Sequence, residues 1–191
     1  MLPLKAQYTY VSGDPAVLGN WSGGPANFNT GTFTITTITA NASSWTLGAG
    51  ATLVIDPAAV LNVAGGANLV INGALNIMPG GGNALVLGAG ASITLGGTVT
   101  SAGGRIKADN LNTVTITGAS IDANHFTSNS IFRLVINNAG GVTLSNSPLT
   151  VGNGGMNIAG TGNMNLGTGN TLIISDNGTG APALTSTGGA E

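Results

Sequence analysis

Six side chains capable of acid–base or ionic chemistry crowd into one stretch of a nearly uncharged chain: Arg105, Lys107, Asp109, Asp122, His125 and Arg133. The 191 residues contain only four basic, six acidic and one histidine side chain, so a ligand site would be sought between Arg105 and Arg133. Cleavage of a polysaccharide needs carboxylates, or a carboxylate and a strong base, converging on one bond. Asp109 and Asp122 are the one candidate pair in the stretch, with His125 or Lys107 as partner. The competing reading is a turn looped out of the surrounding pattern, bearing solvated charges and a cross-strand ion pair of little energetic consequence.

Other chemistries lack their parts. His125 is the sole histidine, and no Gly-x-Ser-x-Gly elbow accompanies it for a Ser-His-Asp arrangement. There is no His/Cys cluster and no acidic calcium-binding nonapeptide, so neither metal nor cofactor is expected. Gly48-Ala49-Gly50-Ala51 is glycine-rich but has no lysine to hold a phosphate. A formal charge of −2 leaves no basic stripe for nucleic acid. The absence of cysteine excludes a disulfide framework while leaving the compartment open. Gly, Asn or Pro interrupts every apolar run well short of the roughly 20 residues a membrane-spanning helix needs. Threonines at alternate positions, Thr34/Thr36, Thr98/Thr100 and Thr113/Thr115/Thr117, raise ice binding as a third function, but they do not recur at a regular interval.

The elements that would position such residues are written in a repeat. From Leu47 the chain reads in eights: LGAGATLV, IDPAAVLN, VAGGANLV, INGALNIM, PGGGNALV, LGAGASIT. Apolar residues two apart recur at Leu53/Ile55, Leu61/Val63, Leu69/Ile71, Leu85/Leu87 and Ile93/Leu95. That spacing puts both side chains of each pair on one face of a strand. The intervening residues are rich in Gly, Ala, Asn and Pro, which is turn chemistry. The beat recurs at Phe33/Ile35 and Trp45/Leu47, slips between Gly96 and Arg133, and resumes at Leu134/Ile136, Val142/Leu144, Leu149/Val151, Met156/Ile158, Met164/Leu166 and Leu172/Ile174. A two-residue face cannot form a core alone, but stacked coils join such faces into ladders. The expectation is a single-domain, all-β parallel β-helix, a β-solenoid over residues 45–174, with two strands per coil (about 16 residues) or three (about 24). An antiparallel sandwich is the alternative; its hairpin signals are limited to Asn72-Gly73, Asn153-Gly154 and Asn177-Gly178.

Both tryptophans and both tyrosines fall in the first 45 residues. Tyr8, Tyr10, Trp21 and Phe28 therefore predict an N-terminal cap over the open end of the solenoid, within residues 8–44; an aromatic sugar platform is the functional alternative. Residues 1–7 (MLPLKAQ) read like the end of a signal peptide. Residues 175–191 read as a polar tail with no matching cap, which points to a longer protein or to an end that stacks on another copy.

The segments Trp45–Ile55, Leu69–Ile77 and Phe132–Val151, with the opening Tyr8-Thr9-Tyr10-Val11-Ser12-Gly13-Asp14-Pro15 and Asn20-Trp21, resemble repeats of large secreted adhesin-like proteins of Bacteroidetes-type bacteria. The resemblance implies a parallel β-helix, export and a cell-surface or matrix role. It supplies no catalytic residues. The combined expectation is a non-enzymatic extracellular structural or adhesive solenoid. Its partners would be other copies stacked head to tail, the remainder of a longer adhesin, or surface glycans bound by the Arg105–Arg133 segment.

Overall fold

A computed structural model of the chain describes residues 5–78, 80, 82–175 and 184–187. Apolar residues alternate with Thr, Asn and Ser, so one face of each segment is driven inward while the other stays wet. The described residues form nineteen strands and no α-helix. After β1 (Gln7–Thr9) the chain winds through three-strand coils. The first is β2 (Thr30–Ile35), β3 (Ile38–Asn41) and β4 (Trp45–Leu47); the second is β5 (Gly50–Ile55), β6 (Val60–Val63) and β7 (Asn68–Ile71); the third is β8 (Ala74–Ile77), β9 (Gly82–Leu87) and β10 (Ser92–Leu95). The fourth coil is β11 (Val99–Ser101) and the long β12 (Gly104–Ile116), the fifth β13 (Ser120–Asp122) and β14 (Phe126–Ile136), and the sixth β15 (Val142–Ser145) and β16 (Leu149–Ala159). The seventh is β17 (Met164–Asn165), β18 (Leu172–Ile174) and β19 (Leu184–Thr187).

Successive coils pair in parallel, and the one antiparallel contact described is an isolated bridge between Tyr10 and Trp21. The sandwich alternative is thereby excluded, and Asn72-Gly73 turns a corner instead of closing a hairpin. Asn68 faces Ser92, 24 residues on, so the coil has three sides. Face 1 stacks β1, β2, β5, β8 and β11, and later β13, β15 and β17. Face 2 runs β3–β6–β9 and on through the first halves of β12, β14 and β16 to β18. Face 3 runs β4–β7–β10 and through the second halves of the same strands to β19.

All ten ladder residues expected from the repeat, Leu53, Ile55, Leu61, Val63, Leu69, Ile71, Leu85, Leu87, Ile93 and Leu95, are buried in one continuous core. The pair that the eight-residue frame missed is Leu75/Ile77, both fully buried. Tight turns close several corners, as where Ala67 N–H donates to Ala64 O and Ala91 N–H to Gly88 O, 3.0 and 2.9 Å. Their third residues, Gly66 and Gly90, have φ of +76° and +72°, a region L side chains rarely adopt.

Two segments differ from expectation. The stretch where the beat slips is not looped out: β12 and β14 stay in the coil and bend through the corner between faces 2 and 3. Leu111 (φ +56°), Ser128 (+55°) and Asn129 (+52°) carry the bend in left-handed conformation. Strand replaces a separate turn, so the coil contracts, with Thr113 facing Ser92 and Arg133 facing Thr113. Ile106, Val114, Ile116, Phe126 and Ile131 fill the interior there. Within the supposed polar tail 175–191, Leu184–Thr187 forms a strand against β16; 176–183 and 188–191 lie outside the described residues.

At the N-terminal end Trp21 packs within 5.2–6.3 Å, centroid to centroid, of Tyr10, Phe28, Phe33 and Trp45, and Tyr8 stacks on Phe33 at 4.9 Å. Asp14 ties the cap down, its carboxylate accepting from the N–H groups of Ala16, Ala42 and Ser43. The indole of Trp21 donates to Pro15 O (2.8 Å). Of the signal-like segment 1–7, Met1–Leu4 lies outside the described residues, while Ala6 O accepts from Thr32 N–H and Gln7 opens β1.

Candidate functional site

Face 1 is interrupted once. β11 pairs only with β8, and β13 only with β15, so the two strands face each other across a seam with no ladder between them. After β13 the chain makes a 3-10 turn, Ala123–His125, that leads directly into β14. Asp122 starts that turn, its Oδ1 accepting from Asn124 N–H at 2.8 Å. Arg105, from β12 one coil back, donates from Nη1 to the carbonyl oxygens of Asn124 (2.5 Å) and Phe126 (3.4 Å), putting positive charge where the turn ends. From the next coil Asn146 donates Nδ2 to Asp122 Oδ2, 2.7 Å. Ser101 hydroxyl donates to Gly104 O and accepts from Gly103 N–H at 3.3 Å.

These groups enclose an open groove of about 340 Å³, lined by Ser101, Gly103 and Arg105 from the fourth coil, Asp122, Asn124 and His125 from the fifth, and Asn146 from the sixth. The His125 ring is partly buried, and its pKa is lowered, chiefly by that burial. The positive charge of Arg105 lowers it further, while Asp122 opposes the shift. At neutral pH the imidazole is therefore uncharged, with one N–H and one lone pair.

Three of the six expected residues, Arg105, Asp122 and His125, thus meet. The other three are placed elsewhere. Lys107 lies farther along β12, opposite Val86, on face 2; Asp109 is exposed near the following corner; Arg133 is exposed on face 3 between Thr113 and Gly155. The carboxylate pair Asp109/Asp122 does not share the groove. No group of three His, Cys, Asp or Glu able to hold a metal occurs among the described residues.

No protein-family model, curated protein or solved structure matches the chain.

Sequence reasoning missed Ser101, Gly103, Asn124 and Asn146. Asn146 had a usable signal, because it lies 24 residues after Asp122, one place beyond Ser145, which faces Asp122 one coil on. Asp122-Ala123-Asn124 had another, an Asx-turn pattern. The threonines form no regular array. The outward column of face 3 reads Thr46, Val70, Thr94, Thr115, Val135, Asn157, Thr185, and that of face 1 reads Thr9, Thr34, Val54, Asn76, Thr100. No helix among the described residues is long and apolar enough to cross a membrane.

Proposed function

We propose that this chain is a non-enzymatic structural or adhesive β-solenoid acting outside the cell or on its surface. It works either as a subunit stacking head to tail with its own copies or as a module of a larger adhesin. The observation carrying this reading is the continuity of faces 2 and 3, each hydrogen-bonded strand to strand from the first coil to the seventh. Seven layers at parallel-strand spacing make a prism about 34 Å tall, held by apolar ladders that charge, salt and pH barely touch. The segments resembling secreted adhesin repeats lie in these coils. Among the described residues β18 and β19 each pair on one edge only, leaving hydrogen-bonding groups that suit a further strand.

Light scattering during size exclusion, with electron microscopy of concentrated samples, tests the reading. Unbranched fibres with an axial repeat of about 34 Å, one prism height, select the stacking subunit. Discrete monomers select the adhesin module and direct the search to surface binding. Turnover of a polysaccharide by the purified chain, abolished by Asp122→Asn, would overturn the non-enzymatic reading altogether.

A further inference from the structure

We propose that the seam between β11 and β13 is a binding site for a neutral saccharide unit, of mono- or disaccharide size. This goes beyond the rod-like role, and neither stands or falls with the other. The seam is the one place where the parallel ladder of face 1 opens, and side chains do not close it. Behind the groove, between Leu95, Val99, Ile116, Ile121 and Phe126, lies a further hollow of about 20 Å³, room for a single water. The groove itself, at about 340 Å³, is within the size range of small-ligand pockets. It spans three successive coils, two strand spacings or roughly 9.5 Å, the scale of one or two sugar rings.

The charge balance of the lining selects the ligand. Arg105 and Asp122 cancel, and His125 is held neutral. An anion would gain one guanidinium but meet the Asp122 carboxylate, with no second cation to offset it. A metal cation would meet Arg105 and find no cluster of ligands. What remains are donors and acceptors side by side. Both hydrogen bonds of Arg105 use Nη1, leaving Nε and Nη2 to donate. Each Asp122 oxygen takes one N–H, leaving lone pairs on both. Asn124 carries an exposed amide, and neutral His125 adds one donor and one acceptor. Vicinal hydroxyls, each both donor and acceptor, complement such a surface without importing charge.

The test uses the full chain, isotope-labelled, titrated at millimolar concentration with cellobiose, lactose, maltose and chitobiose. Glucuronate and inorganic phosphate serve as charged probes. The expected result is saturable amide shifts confined to residues 101–105, 122–126 and 146 with at least one neutral sugar. Asn146→Ala and Arg105→Met should each weaken that binding about tenfold or more, the loss of one or more good hydrogen bonds, and Lys107→Ala should leave it unchanged. Arg105 also supports the 3-10 turn, so if Arg105→Met unfolds, Asn146→Ala decides alone. Absence of saturable shifts with every neutral sugar, indifference to Asn146→Ala, or tighter binding of phosphate or glucuronate overturns the proposal.

Discussion

Ile71 sits in the core ladder between Leu47 and Leu95, almost wholly buried. Ile71→Asp would place an unpaired charge there and is expected to abolish folding, seen as loss of the β-sheet circular dichroism signal. Ile71→Ala should fold but lose about 2–5 kcal/mol in urea denaturation. Such positions were legible because alternation marks inward residues directly. Asn112 was not. It is fully buried on the inner side of the bend in β12, donating Nδ2 to the carbonyls of Gly88 (2.6 Å) and Ala91 (3.3 Å) and accepting from Asn110 N–H (3.0 Å). Asn112→Leu would fill the space yet leave Asn110 N–H without its acceptor, while the Gly88 and Ala91 carbonyls keep their bonds from Ala91 and Thr113 N–H, so a net loss of about 1–3 kcal/mol is expected in the same assay. His125 gives stability a pH dependence. Its pKa is lowered in the folded state, so above about 6.5 the ring is neutral both folded and unfolded and contributes no slope. As pH falls through that value the unfolded chain takes up the proton first, and stability declines until the folded-state pKa is passed. Melting temperature at pH 7.5 against pH 5.5 should show the decline, and His125→Gln should reduce it.

Corners decide whether strands stack. A Cβ on Gly97 would overlap the carbonyl oxygen of Gly73 in the coil below, and one on Gly73 would overlap that of Ala51. Backbone cannot swing aside as a side-chain tip can. Gly97→Ala is therefore expected to destabilise strongly, by more than the roughly 1 kcal/mol that a Gly/Ala exchange carries through propensity alone. Gly19→Ala, with open space around it, should be neutral or stabilising by about 0.4–1 kcal/mol. Parallel thermal melts of the two variants would separate close approach from chain entropy; equal effects would sink this account of the corner. The element scale is also where sequence reading lost the thread. Pairs of inward residues between glycine-rich turns announce short strands, but nothing in Asp109-Asn110-Leu111 or Ser128-Asn129 announces a strand that bends without breaking. The contracted coil then shifts the eight-residue frame. Of the site, the charged residues were visible by type, but which of them share a groove depends on coil length. With 16 and 24 both open, and the coil here in fact 23 residues, Asp122 could not be set beside Asn146.

At the scale of the whole molecule the strands of each coil pair only with those of the coils next to it, so stability should vary along the stack. Through the first six coils the inward apolar residues are buried except at the seam, where Val99 is partly exposed, and at Ile158, whereas Met164, Leu166, Leu172 and Ile174 of the seventh are all only partly buried. Amide hydrogen exchange should accordingly be slowest in β5 to β14 and fastest in β17 and β18; uniform protection from β2 to β18 would show instead that the prism opens as one unit. The tilt toward the N-terminal end follows from the aromatic cluster, which closes that end as its composition foretold. The same cluster has an optical consequence. Trp21, Trp45, Tyr8 and Tyr10 are all the tryptophan and tyrosine the chain has, and the two indoles lie 5.8 Å apart. Near-ultraviolet absorption and intrinsic emission thus come from one end of the prism, and the coils beyond it are dark. Copies meeting through that end would alter the emission, while copies meeting side by side would leave it unchanged, so the molecule carries its own reporter of which way it assembles.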